Sequence, residues 1–235
     1  MTPDLSQLNH EDKFFGAPFG MLLDKPLLGS PPSEDSDESK ALAAIIYGVT
    51  LSYVPVELEK FVKDHHNNTE EVVLRQDQSI AGVLVAVAVD LMAHNRLMPE
   101  DLISAVIDYL PSGSLFDNPY RAKLLAAQDY LEERQTLVNN IIANDLDIDI
   151  MEIDKRNVAR CEAGDEIPGA IAAAFYIVTA RKTSFEEAIQ LALGAKKKRV
   201  ILVSVGAISG AMHGLGGIPL IYKERLMGSI INERQ

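Results

Sequence analysis

Asp145, Asp147 and Asp149 alternate with Leu146, Ile148 and Ile150, and acids so spaced open calcium-binding loops. Such a loop needs glycine at its sixth position for the sharp turn and a bidentate glutamate at its twelfth. Ile150 and Arg156 stand there instead, so the stretch is expected to be a short edge segment with its acids in water. His65 and His66 are adjacent on a polar turn, but no third ligand accompanies them at a metal-binding spacing. Ser209, in Ile208-Ser209-Gly210, lacks the glycine two residues before it that a Gly-x-Ser-x-Gly nucleophile elbow requires. His213 reads as a hydrogen-bonded core or rim histidine rather than a catalytic base. The sequence has no phosphate-cradling P-loop, no His-Glu-x-x-His and no Cys-x-x-Cys. These residues alone yield no catalytic assignment and no metal centre.

The elements that would position any site are helical. The longest uncharged stretch, Val200 to Tyr222, follows Lys196, Lys197, Lys198 and Arg199. Gly206, Gly210 and Gly214 recur every fourth residue, which lines small residues along one helix face and lets a neighbouring backbone approach closely. A membrane span and the core helix of a soluble bundle share this composition. Leu215-Gly216-Gly217-Ile218-Pro219 stops a helix, leaving Val200 to about Gly214 short of the roughly 30 Å of hydrocarbon. A core helix is therefore expected. Gly214-x-Gly216-Gly217 is its terminator, not a dinucleotide cradle.

Upstream, Phe14 to Leu23 is a broken helix around Pro18, and Gly29 to Ser39 is a flexible acidic loop by composition. Lys40–Tyr53, Val56–Lys63 and Ile80–His94 read as helices. Gln76-Asp77-Gln78-Ser79 precedes the last of these, as a cap should. Pro99-Glu100-Asp101 opens a helix running to Leu110. Pro119 to about Ala143 carries an apolar stripe of Tyr120, Leu124, Ala127, Leu131, Leu137 and Ile141. Ala170–Thr179 is a small apolar helix. Ser184 and Glu187 form the capping box of the next, and a short helix around Tyr222 to Ile231 closes the chain. Almost no period-2 pattern occurs, so the fold is expected to be all-α, a single domain over 1–235.

A net charge of −12 repels phosphates, which excludes non-specific binding to nucleic acid or anionic lipid. The lone Cys161 excludes a disulfide framework. The N-terminus has no basic region followed by an apolar run, so a cytoplasmic location is expected.

Several segments taken together resemble the ADP-ribosylglycohydrolases, which include the dinitrogenase-reductase-activating glycohydrolase. They are Ile167 to Phe175, Ser184 to Ala192, Gly206 to Gly214 and Gly217-Ile218-Pro219. Asp77-Gln78-Ser79 before an apolar helix, followed by Pro99-Glu100-Asp101-Leu102, is similar to the family's Thr-Asp-Asp-Thr segment and the helices after it. Gly16-Ala17-x-Phe19-Gly20 resembles the family's first helix.

The resemblance implies a compact all-α bundle. It also implies two magnesium ions between the Thr-Asp-Asp segment and a late Asp-x-Asp-Thr segment, which hold the ribose and activate the water that releases ADP-ribose. Hard divalent cations need carboxylate oxygens. In the first segment Gln76 replaces threonine, Asp77 matches, Gln78 replaces the second aspartate and Ser79 replaces threonine. In the second, Ile201 and Val203 replace the aspartates and Ser204 the threonine, or Lys198 and Val200 do so in the other register. No acid lies between Glu187 and Glu224 in either register.

The expectation is thus a family member that has lost its magnesium site, needs no cofactor and acts by binding. Its occupant would be a protein partner or an ADP-ribose-like ligand held by Asp77, Gln78, Ser79 and Ser204. The alternatives are an active hydrolase built on Asp77, Asp90 or Glu166, and a membrane-anchored protein using 200–222.

Overall fold

A computed structural model describes residues 10–23, 27–28, 36–52, 76–110, 119–164 and 166–232. Every regular element among them is helical. In chain order these are α1 (His10–Met21), α2 (Asp37–Leu51), α3 (Gln76–Ala93), a 3₁₀ turn (Pro99–Asp101), α4 (Leu102–Ile107), α5 (Pro119–Ala143), α6 (Ile150–Cys161), α7 (Ile167–Ala180), α8 (Phe185–Leu193), α9 (Lys198–Gly217) and α10 (Leu220–Asn232). The expected helix at Val56–Lys63, the His65-His66 turn and residues 29–35 of the acidic loop lie outside the described residues.

The axis of the bundle is α9. Every residue from Val200 to Gly214 is buried, so this helix has no polar face to turn outward. It packs against α1, α2, α3, α7 and α8. Length and composition would let α9 cross a membrane, but 83% of its apolar window is buried inside the chain. The expected stop is a kink: Gly214 leaves the helical region at φ 66°, ψ 174°, and one further turn carries the chain to Gly217.

Close approach fixes how α1 meets α9. An ideal Cβ on Gly16 would lie 1.9 Å from the carbonyl oxygen of Gly210, and one on Gly20 would lie 1.9 Å from that of Gly206. The reverse contacts are 2.1 Å each. Two glycines spaced four apart on each helix thus let the backbones touch. Gly48 and Gly82 do the same for α2 and α3, where a Cβ on Gly48 would lie 2.4 Å from the Gly82 oxygen.

Several boundaries move. Pro18 sits inside a continuous α1. Ser36 accepts a hydrogen bond from the Ser39 amide and caps α2, so the last acids of the expected loop form the first turn of that helix. Gln76 to Ser79 belong to α3 itself, not to a segment before it. Leu137 is 47% exposed rather than part of the buried stripe of α5. Asp145 takes φ 50° as the left-handed residue closing α5, and Leu146 N–H bonds back to the Ile141 carbonyl.

The helix that sequence reading passes over is α6. Asp149, expected on an edge segment, caps it by accepting from the Met151 amide. The buried side of α6 is Asp154, Asn157, Val158 and Cys161.

Candidate functional site

The late segment of the expected site, Lys198 to Ser204, falls in the first two turns of α9, and the loop between α8 and α9 leads into it. Gly194 ends α8, Ala195 is buried, and Lys196 and Lys197 lead into α9. A helix start carries partial positive charge and unpaired N–H groups, and it favours an acid or a capping oxygen nearby. Here the first turn contains no acid and the N-cap is Lys197, whose side chain has no acceptor. The missing oxygen comes from another helix. Glu162, the C-cap of α6, is 2% exposed, and its Oε1 accepts the main-chain N–H of Lys196 at 2.9 Å and of Lys197 at 2.8 Å. Its Oε2 lies 3.1 Å from the Lys196 nitrogen. One buried carboxylate thus caps two of the free amides at the positive end of α9.

The residues expected to bind are distributed as follows. Asp77, Gln78 and Ser79 lie in the first turn of α3, which packs against α9; their side chains are outside the described set. Ser204 lies in α9, fully buried, with its hydroxyl enclosed in the bundle. The positions aligned with the expected late carboxylates are the buried Val200, Ile201 and Val203, and the exposed Lys198. Among the described residues no three His, Cys, Asp or Glu side chains cluster closely enough to hold a metal ion.

Asp90 is committed elsewhere. Its Oδ2 accepts Arg96 Nη1 at 3.0 Å, and His94 Nδ1 lies 3.1 Å from its Oδ1. It closes the far end of α3 from Asp77, about 20 Å along the axis, so the two cannot act on one reacting atom. Glu166 is exposed at the N-cap of α7. His213 is 3% exposed and meets Phe185 edge-on at 6.4 Å, and Phe185 meets Tyr222 at 5.9 Å. This places the histidine in an aromatic cluster of the core. Cys161 is buried, and burial pushes its thiol up to about 12, which makes it inert as a nucleophile.

The largest polar constellation among the described residues is one the sequence does not announce. Asp154 has no exposed surface. Its Oδ1 accepts Arg134 Nε at 2.6 Å and the Tyr176 hydroxyl at 2.7 Å, and its Oδ2 pairs with Arg181 Nη2 at 2.5 Å. Asn157 Nδ2 donates to the Tyr176 oxygen at 3.0 Å, and Arg181 Nη1 continues to Glu187 Oε2 at 2.8 Å. Burial and then the hydrogen bond to Asp154 hold the Tyr176 hydroxyl protonated well above its ordinary range. Two guanidiniums and a phenol occupy the carboxylate oxygens of a side chain with no exposed surface, so no path leads from it to a substrate. The cluster ties α5, α6, α7 and α8 together. It also explains Glu187: Ser184 caps α8 through the Glu187 amide at 3.2 Å, while the Glu187 side chain turns to Arg181 instead of completing the box.

An open groove of about 630 Å³ runs over α5, lined by Asp129, Glu132, Glu133, Thr136 and Leu137. Its acids repel phosphate, so it is no place for a nucleotide-like ligand.

The sequence pattern of the ADP-ribosylglycohydrolases matches residues 73–234, from the start of α3 through α10. No curated protein and no solved structure matches the chain. The matched span includes the packing glycines of α9, the Ile167–Ala180 helix and the Asp77 turn, and it covers more than half of the sequence. The chain belongs to the ADP-ribosylglycohydrolase family.

Proposed function

We propose that this chain keeps the family's bundle without its magnesium chemistry and works by binding, as a regulatory or adaptor protein. The observation that carries this reading is the start of α9. Ile201 and Val203, or Lys198 and Val200 in the other register, stand where a divalent cation would need carboxylates. Lys196 to Arg199 put positive charge beside them, and the sequence between Glu187 and Glu224 contains no acid. Positive charge beside a cation site raises the cost of binding instead of lowering it. The residues present therefore do not fit a pair of magnesium ions, and no step of hydrolysis is routed through them.

What remains is a scaffold with Asp77, Gln78 and Ser79 at the head of α3. They offer one carboxylate, one amide and one hydroxyl to an ADP-ribose-like ligand or to a protein partner. Ser204, the fourth residue of that proposed set, is buried, so a ligand reaching it would have to enter the bundle. No cofactor is required, and a cytoplasmic location fits the lone thiol.

Two measurements test the reading. Titration calorimetry with Mg²⁺ and with ADP-ribose is expected to give no heat for the metal; heat for ADP-ribose alone would identify the occupant, and none for either would leave a protein partner. Turnover of ADP-ribosylated arginine or serine peptides at high protein concentration, lost in Asp77→Ala, would overturn it.

A further inference from the structure

We propose that Glu162 is an internal anion that holds the loop before α9 closed, an autoinhibitory contact built into the bundle. The start of α9 collects Lys196, Lys197, Lys198 and Arg199 at the positive end of the helix, with no acid in its first turn. That combination is unfavourable unless an anion answers it. Glu162 does so while buried, through both oxygens, on the amides of two successive residues.

Its own position is fixed from three sides. The Glu162 amide bonds to the Val158 carbonyl and ends α6. Gly169 in the first turn of α7 lets that helix approach so closely that a Cβ there would lie 2.7 Å from the Cys161 oxygen. Lys123 Nζ of α5 donates to the Ala163 carbonyl on the residue that follows. The main chain that carries the carboxylate is therefore held at a corner of α5, α6 and α7. An external phosphate or carboxylate could use the Lys196 and Lys197 amides only by displacing it. The contact itself rests on this geometry; its consequence, that anionic ligands are kept off this loop, rests on the function proposed above.

The test uses the full chain and two variants, Glu162→Ala and Glu162→Gln. Amide hydrogen exchange at Lys196 and Lys197 is expected to quicken by about ten- to hundredfold in both, since hydrogen bonds to a charged acceptor are lost. Acetate, formate or inorganic phosphate should restore protection in Glu162→Ala and leave the wild type unchanged. A general packing role would not produce that anion-specific recovery. Wild-type exchange rates in Glu162→Gln, which preserves shape and removes charge, would overturn the proposal even if Glu162→Ala failed to fold. So would equal anion responses in wild type and Glu162→Ala. Assaying the same preparations for ADP-ribose release separates the two readings, because turnover by the wild type sinks the proposed function and leaves the contact standing.

Discussion

Gly16 of α1 and Gly210 of α9 meet backbone to backbone: a Cβ added to Gly16 would lie 1.9 Å from the Gly210 oxygen, and one added to Gly210 would lie 2.1 Å from the Gly16 oxygen. The obstructing atoms are carbonyls of two helices, which cannot rotate away as a side chain can. Gly16→Ala and Gly210→Ala should therefore each destabilise at or above the upper end of the about 1–3 kcal/mol typical of overpacking. Gly194→Ala is the control, because its added Cβ would find the Leu191 oxygen at an ordinary 3.4 Å. Urea unfolding followed by circular dichroism measures all three. Equal midpoints for Gly210→Ala and Gly194→Ala would show that α1 and α9 are not so close.

The Asp154 cluster makes a graded prediction. Asp154→Asn leaves Arg134 and Arg181 facing a neutral group in a buried site, and removing one partner of a buried pair costs about 3–5 kcal/mol. Tyr176→Phe removes one donor to Asp154 and leaves Asn157 without that acceptor, for a loss of about 1–3 kcal/mol. Chemical denaturation should rank the variants in that order. The reverse order would mean that the guanidiniums reach water and that the phenol is the true tie.

These two sites also mark where the sequence is legible and where it is not. The glycine spacing of α9 announces a close backbone neighbour, but the identity of that neighbour depends on Gly16 and Gly20 nearly two hundred residues away. Pro119–Ala143 is readable because its buried positions Tyr120, Leu124 and Ala127 are apolar at helical spacing. The stripe fails only at Leu137, which faces the groove. The missed helix α6 shows why periodicity has limits: two of its inward positions are Asp154 and Asn157, so the inside reads as polar. Their partners Arg134, Tyr176 and Arg181 lie on other elements, and no local pattern joins them. For the same reason Glu162 gives no sequence signal, since its role exists only once α6 is laid against the start of α9.

Alkaline pH should weaken the fold in two stages. Burial holds the Cys161 thiol up to about 12 in the folded chain, whereas an exposed thiol ionises near 8.5, about the usual value. Because the folded pKa is the higher, this contribution is complete below the unfolded value and is lost as pH rises toward about 12, at about 1.4 kcal/mol per unit. Tyr176, also raised, adds a loss of the same sign above about pH 10, where the unfolded phenol ionises. Melting temperatures taken from pH 7 upward should therefore fall from about pH 9. Cys161→Ala should flatten the first stage and leave the second. An unchanged curve for that variant would mean that the thiol is reached by solvent.

The last prediction concerns metal. A ligand that binds only the folded chain stabilises it, by about 2.7 kcal/mol at a hundred times its dissociation constant. For a chain of this size, that raises the melting temperature by several degrees, at roughly 2–4 °C per kcal/mol. If, as proposed, Lys198 and Val200, or Ile201 and Val203, replace the late carboxylates, thermal unfolding in millimolar Mg²⁺ and in EDTA should coincide within about 1 °C. The comparison also probes the other half of the expected site. A rise in Mg²⁺ that vanishes in Asp77→Ala would mean that the head of α3 holds a cation by itself, with water completing the shell. A rise that survives Asp77→Ala would place the cation elsewhere, with the acidic groove of Asp129, Glu132 and Glu133 the first place to mutate.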